Sequence, residues 1–253
     1  RRSSDLEKDL KLLSTLEEKQ RILQNDIDHL IIINFSKEFA QLSSEDFIKD
    51  ILVEKIGTKK LVIGYNHRFG KNREGDFEHL KANAAVYGFE IEEIPRQVID
   101  NIAISSTKIR KALLAGDVKT ARHYLDRPYS ITGKVVRGDH LGRKLGFPTA
   151  NIQLDEVTKL IPADGVYAVR VETHKKLNHD GMMNIGHKPT VSGVNKTLEV
   201  NIFDFNNDIY GEQITISFIE RIREERKFSD VDKLKEQLVK DKAEALKRME
   251  HSA

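Results

Sequence analysis

Cysteine and tryptophan are absent from this 253-residue sequence, and proline occurs only five times. Without cysteine there can be no disulfide framework and no thiolate metal site, a usage that suits a reducing compartment such as the cytoplasm. Long apolar runs are missing as well. The strongest, Leu30-Ile31-Ile32-Ile33, is far shorter than the roughly 18 residues that a membrane-spanning helix needs. No signal peptide is expected either. Charge of one sign is also lacking: 42 Lys and Arg face 40 Asp and Glu, a formal net charge of +2. No global field favours nucleic acid or an anionic membrane, and the cations are not interleaved with aromatics as on single-strand-binding platforms. Neither a nucleic-acid nor a membrane partner is therefore expected. With 32% charged and 39% hydrophobic residues, the chain reads as a soluble globular protein that can bury one large core or two ordinary ones. It begins Arg-Arg-Ser-Ser rather than with Met, so either processing or an absent beginning is expected. The sequence is silent on oligomeric state.

What is present falls into two halves that meet near Asp126-Arg127-Pro128. In the first, helical and strand patterns alternate. Ser14 with Glu17 has the spacing of a capping box ahead of a helix with Leu16, Ile22 and Leu23 on its apolar face. His29–Phe35 reads as a buried strand. Ser43 and Asp46 open a second helix with Phe47, Ile48, Ile51, Leu52 and Ile56 as its core stripe and Gly57 as its stop. Leu61–Gly64 is a further strand, Phe77–Tyr87 a helix ending at Gly88, and Phe89, Ile91 and Ile94 mark another strand. Helices follow at Thr107–Ala115 and Val118–Leu125. Strand–helix–strand alternation implies a helix-covered parallel sheet of Rossmann-like type. In such sheets the nucleotide sits near the first strand–helix turn. Because the chain opens on a helix, that first strand is expected to be absent.

The second half reads as short strands joined by Gly, Asn and Asp turns: Tyr129–Val136, Val166–Val171, Met182–Ile185, Leu198–Phe205 and Gln213–Ile219. This pattern suggests a small antiparallel barrel. Ser229 with Asp232 would then cap a final helix with Val231, Leu234, Leu238 and Leu246 as its stripe.

Chemistry concentrates in Gly138–Asn151, Gly-Asp-His-Leu-Gly-Arg-Lys-Leu-Gly-Phe-Pro-Thr-Ala-Asn. Gly138, Gly142 and Gly146 allow close backbone approach of the kind that cradles phosphates. Thr149 and Asn151 sit at i and i+2, hence on one side of an extended segment, and offer neutral oxygens suited to a hard cation. The spacing is neither a Walker loop nor a GxGxxG fingerprint. On composition alone, a hairpin loop that binds nothing remains open. For Glu199, between Leu198 and Val200, the residues alone equally allow an ordinary solvent-facing carboxylate.

Gly138–Asn151 resembles the phosphate loop and Pro-Thr-Ala-Asn motif of the riboflavin kinases. Pro162–Tyr167, Asn184-Ile185-Gly186 with Pro189-Thr190, Leu198-Glu199-Val200 and Asp208-Ile209-Tyr210-Gly211 follow in that family's order. Upstream, Gly64–Gly70 and Ile104–Arg110 resemble the adenylyltransferase half of the bacterial bifunctional riboflavin kinase/FMN adenylyltransferases. The resemblance covers nearly the whole chain. It implies a Rossmann-like nucleotidyltransferase domain over residues 1–126, lacking its first strand, then a β-barrel riboflavin kinase domain with a C-terminal helix over 127–253. The implied function is FAD biosynthesis: phosphorylation of riboflavin to FMN by ATP with Mg²⁺, then adenylylation of FMN to FAD.

Residue by residue, the resemblance makes Gly138, Gly142, Lys144, Gly146, Thr149 and Asn151 the ATP-phosphate site, with Thr149 and Asn151 on the metal. It makes Glu199 the base for the ribityl hydroxyl. Asn201 stands where bacterial relatives often carry histidine, a change expected to tune the site. Arg223 and Phe228, in Arg223-Glu224-Glu225-Arg226-Lys227-Phe228, resemble the flavin-contacting loop; as a bare charge run that stretch is a solvated turn. For the adenylyltransferase half the resemblance implies Asn66, Phe69, Ser105, Ser106, Thr107 and Arg110. Ser105 to Arg110 open a helix, an arrangement that suits either a plain cap or an anion site. Asn66 replaces the Asp of the Gly-x-Asp-Phe-x-Phe-Gly pattern and His67 its first Phe, turning an acceptor-only carboxylate into an amide. No His-x-Gly-His motif occurs among the nine histidines, so this polypeptide is not expected to make FAD itself. Two alternatives stand beside this reading: a riboflavin kinase alone, or a flavin-binding or flavin-sensing protein without turnover. Thr149, Asn151 and Glu199 together argue against the latter, since a pure binder needs no base.

Overall fold

Every strand pair of the larger sheet is antiparallel, which lets short turns close it, whereas the pairing of Lys60–Gly64 with Glu90–Ile94 is parallel and needs a helical crossover. The computed structural model describes residues 11–64, 67–94, 98–99, 102–138, 141–155, 158–173, 177–190 and 193–250. In chain order it has α1 (Leu16–Leu23), α2 (Lys37–Ala40) and α3 (Ser44–Asp46), the last running on as a π-helical stretch, Phe47–Lys55. Then come β1 (Lys60–Gly64), α4 (Phe77–Tyr87), β2 (Glu90–Ile94), the short pair β3 (Val98–Ile99) and β4 (Ile102–Ala103), α5 (Ser106–Leu114) and α6 (Val118–Leu125). β5 (Ser130–Val136), α7 (Leu141–Lys144), β6 (Ala150–Gln153), β7 (Gly165–Glu172), β8 (Asn178–Thr190), β9 (Gly193–Ile202), β10 (Gln213–Arg223) and α8 (Val231–Glu250) complete the chain. It divides into two compact units, residues 27–104, and residues 1–26 with 105–253.

In the 27–104 unit, β1 and β2 pair in parallel with Lys60 opposite Glu90, and α4 is the crossover between them. Asp76 caps α4 by accepting from the His79 N–H at 2.9 Å, and Gly88 ends it with φ of 70°. Ile48, Leu52, Ile63, Leu80, Ala84 and Phe89 form the core. Two expectations fail here. Ile56 is exposed: it is the C-cap that follows the π-helical stretch rather than part of its buried face. His29–Phe35 forms no strand, and Ile31 and Phe35 are 58% and 63% exposed. A short apolar run fixes neither strand nor partner, and none of β1–β4 pairs with it.

In the larger unit six strands close into a barrel in the order β10-β5-β6-β9-β8-β7. Tyr167, Val169, Val171, Ile131, Ile216 and Phe218 are fully or almost fully buried. Alternation on β7 turns Ala168 outward, where Ala245 and Met249 of α8 cover it. The Tyr129 and Tyr167 hydroxyls donate to the carbonyls of Leu160 and Ala163, both at 2.6 Å, tying that segment to the barrel.

Of the predicted caps, Ser43 holds, accepting from the Asp46 N–H at 3.0 Å, while those of α1 and α8 shift by one residue. At α1 the capping box is Thr15 with Glu18, not Ser14 with Glu17, each side chain bonding the other's backbone at 3.1 Å. The reason is that Leu12 bridges to Lys159 in extended conformation, and the turn into α1 then places Glu18 against the buried Lys159 ammonium. Burial pulls that ammonium below its usual range, against the pull of Glu18. Leu16 consequently faces outward, half exposed. At α8, Asp230 rather than Ser229 caps the helix, accepting from the Lys233 N–H at 2.8 Å. The buried stripe is Asp241, Ala245 and Met249, while Val231 and Leu246 are exposed. Leu246 lies about 100° round the helix from Ala245, and Val231 is the first residue of the first turn, so neither falls on that face.

Candidate active site

Alternation along β9 points Leu198, Val200 and Ile202 into the barrel, where all three are buried, and leaves Glu199 and Asn201 on its outer face. Register then decides what Glu199 meets. It is paired with Asn151 on β6 and with Asn184 on β8. A carboxylate thus stands between two amides in a row across three strands, and all three line one cavity of about 570 Å³. The Glu199 side chain is 22% exposed, with the Lys188 ammonium at 3.0 Å.

The same cavity takes in Gly142, Thr149, Arg223 and Phe228. Six residues proposed from widely separated motifs therefore converge: Gly142, Thr149, Asn151, Glu199, Arg223 and Phe228. Two glycines are explained by contact. A Cβ at Gly138 would lie 2.1 Å from the Asn151 amide nitrogen, and one at Gly142 would lie 2.3 Å from the Phe147 carbonyl oxygen and 3.2 Å from the Thr149 hydroxyl. The loop can fold over Thr149 and Asn151 only because both positions lack side chains. Gly146 takes φ of 84° just beyond α7. Lys144 is exposed and lines neither this cavity nor its neighbour.

Asn201 is buried, and its amide donates to the Pro148 carbonyl at 2.6 Å. The strand that carries the carboxylate is thereby tied to the start of the Thr149–Asn151 segment. On the far side of Thr149 lies a second cavity of about 520 Å³, bordered by Arg143, Pro148 and Asn206 to Tyr210. Thr149 borders both. Leu145, Phe147, Met182 and Val166 supply the apolar surface of the first cavity. Sequence reasoning assigned no role to Asn184, Lys188, Arg226 or Asp241. Asn184 lies in a recognised motif, but its side chain could be placed only through the β8–β9 register.

Of the residues assigned to the adenylyltransferase half, Asn66 lies outside the described residues. Phe69, in the 27–104 unit, stacks on His67 at 6.0 Å and tilts against Phe47 at 5.5 Å, beneath Gly75, whose Cβ would strike its ring. In the other unit Ser105 caps α5, accepting from the Lys108 N–H at 3.3 Å, with Ser106 and Thr107 exposed in the first turn. Arg110 donates to the Lys11 carbonyl at 2.9 Å.

A closed antiparallel barrel carrying these motifs is of the riboflavin kinase class, and the riboflavin kinase family model matches residues 125–249. The FAD synthetase family model matches residues 3–108. A bifunctional riboflavin kinase/FMN adenylyltransferase of Buchnera aphidicola subsp. Schizaphis graminum is 43% identical over 236 residues, 91% of this chain and 75% of its own length. One from Escherichia coli K12 is 39% identical over 92% of this chain and 74% of its own. A crystal structure from Streptococcus pneumoniae, described as a macrolide-efflux protein, superposes with a TM-score of 0.81 at 36% identity, covering 91% of this chain and 74% of that one. The chain belongs to the bifunctional riboflavin kinase/FMN adenylyltransferase family. Among the described residues no helix is long and apolar enough to cross a membrane.

Proposed function

We propose that the barrel transfers the γ-phosphoryl group of ATP to the terminal ribityl hydroxyl of riboflavin, in the cytoplasm, as the FMN-forming step of FAD biosynthesis. The observation that carries this reading is the row Asn151–Glu199–Asn184 along the floor of a cavity with apolar walls. Phosphoryl transfer depends mainly on positioning and charge neutralisation, and two cavities sharing Thr149 suit two substrates meeting end to end. The isoalloxazine ring fits the cavity walled by Phe147, Met182 and Phe228, and the nucleotide fits the one beyond Thr149.

Glu199 accepts the hydroxyl proton as that oxygen bonds to the γ-phosphorus and the bond to the leaving ADP oxygen breaks. Asn151 and Asn184 flank the carboxylate on the neighbouring strands. Lys188 keeps it paired until substrate enters. Thr149 and Asn151 would hold Mg²⁺: both present oxygens to one cavity beside a carboxylate, the hard donor set that Mg²⁺ takes alongside phosphate oxygens and water. When bound, the metal neutralises phosphate charge. Gly138 and Gly142 keep the loop close enough for its N–H groups to reach the phosphates. Adenylylation of FMN to FAD is assigned to the FAD synthetase half, with Ser105, Ser106, Thr107 and Arg110 on nucleotide phosphates; because the sequence carries no His-x-Gly-His motif, little of that step is expected from this polypeptide.

Incubating the chain with riboflavin, ATP and Mg²⁺ and separating the flavins over time tests this directly. FMN should accumulate, with little FAD. Riboflavin bound but unconverted would replace the kinase with a flavin-binding protein, and FAD following FMN would show that the adenylyltransferase half works without a His-x-Gly-His segment.

A further inference from the structure

The carboxylate of Asp241 is 1% exposed, in the middle of the apolar stripe of α8. A buried charge is costly unless fully paired, and even a well-made buried pair is often no more stabilising than apolar packing of the same volume. Its presence is better explained by what it fixes. Arg223, at the end of β10 just past a register shift, donates from Nε to both Asp241 oxygens at 2.9 and 3.1 Å and from Nη2 to Oδ2 at 2.7 Å. Its remaining nitrogen, Nη1, donates to the Glu224 carbonyl at 2.9 Å. All three guanidinium nitrogens are thus engaged within the protein.

The network continues. Gln237, one turn earlier on α8, donates to Asp241 Oδ1 at 2.7 Å and accepts from Arg226. The Arg223 and Arg226 guanidinium groups lie over the Phe228 ring at 5.7 and 5.3 Å from its centre. A chain of contacts therefore runs Arg223–Asp241–Gln237–Arg226, and both of its ends close on one aromatic ring in the cavity wall.

We propose that Asp241 and Gln237 are positioning residues for riboflavin: they hold both guanidinium groups against Phe228, so that residues 224–230 present a preformed wall to the isoalloxazine ring. The proposal rests on the riboflavin kinase reading above. A wall ordered before binding removes the cost of ordering it on binding, so the effect falls on flavin affinity rather than on ATP or on the proton transfer at Glu199. Arg223 acts through the ring it supports and not by donating to substrate.

Asp241→Asn keeps the volume and removes the charge. It should raise the riboflavin KM, and the Kd read from flavin fluorescence, at least tenfold while the ATP KM stays within twofold. Gln237→Met leaves the Arg223 pair intact and should raise the riboflavin KM about threefold; it decides the question should Asp241→Asn not fold. Met249→Ala loosens α8 from the barrel without touching the network, and should lower Tm while leaving the riboflavin KM unchanged. An unchanged riboflavin KM in the first two variants, or an equal rise in Met249→Ala, overturns the proposal. A wild-type chain that neither binds nor converts riboflavin would instead overturn the kinase reading itself.

Discussion

The barrel and the 27–104 unit solve the same burial problem with unequal means. In the barrel each strand finds two antiparallel partners, no edge is left, and Ile131, Val169, Val171, Val200 and Ile216 reach zero exposure. In the 27–104 unit two parallel strands share a core of six buried residues, while an apolar run at 30–35 stays in contact with solvent. Closure distributes the cost of every backbone group over the whole sheet and fixes register at each pair. A two-strand parallel sheet fixes register once. The contrast explains why the better-formed site lies on the barrel: the row Asn151–Glu199–Asn184 exists only because two ladders agree.

The largest effect expected is at that row. Glu199→Gln keeps the shape and removes the base, and general-base catalysis is worth roughly a hundred- to ten-thousandfold. FMN formation should fall about a thousandfold with riboflavin binding within threefold, as read by turnover and flavin fluorescence. Normal turnover would make the row structural and erase the functional side of the contrast.

Next come paired core truncations, one in each region. Ile216→Ala opens a cavity inside a closed barrel whose neighbours cannot collapse, and should cost about 4 kcal/mol. Leu80→Ala, against a core ringed by partly exposed side chains such as Phe77 and Tyr87, can relax more and should cost about 3 kcal/mol or less. Denaturant unfolding of each variant, with hydrogen exchange of the α4 amides for the second, gives the comparison. A larger loss at Leu80 than at Ile216 would show that closure does not set the packing.

How much of this was legible follows the same division. Strands whose partners are near in sequence could be read from alternation, as in Val166–Val171 and Leu198–Ile202, and so could the motifs on them. β6 escaped as a strand because its short stretch, Ala-Asn-Ile-Gln, carries little alternation. Asn184 escaped because facing Glu199 is a fact of register, not of composition. Asp241 was hidden among the charges of α8, since a single buried carboxylate leaves no periodic signal. The caps of α1 and α8 were displaced by one position because Ser14 and Thr15, and likewise Ser229 and Asp230, are all competent caps, so tertiary contacts chose between them.

A smaller effect is specific to the barrel. Burial pushes the Tyr167 phenol up to about 12 and raises Tyr129 further above its usual range, an effect to which Glu18 adds at Tyr129. Because both folded-state values lie above the unfolded one, this contribution is intact below about pH 10 and is lost as pH rises beyond it. Each group should remove about 1.4 kcal/mol per pH unit, for Tyr167 up to about pH 12. Tyr167→Phe should make the decline in stability above pH 10 shallower in urea titrations, at the cost of its bond to Ala163. An unchanged slope would mean that the phenol ionises as readily in the folded barrel as in the unfolded chain.

The smallest effect on stability separates the 27–104 unit from its sequence. Were Ile31 and Phe35 the inward residues of a buried strand, replacing both with Ser would remove two large apolar contacts and unfold the region. In the structure they are 58% and 63% exposed, and the Phe35 ring meets Phe39 in a T-shaped contact at 5.8 Å. Ile31→Ser with Phe35→Ser should therefore shift Tm by no more than about 2 °C, since surface changes away from special features stay within about 0.5 kcal/mol. Solubility should rise, because contiguous exposed apolar surface promotes association. A Tm loss of 8 °C or more would show the run to be buried in solution, and the contrast between a closed barrel and an open parallel sheet would then narrow to a difference in connectivity.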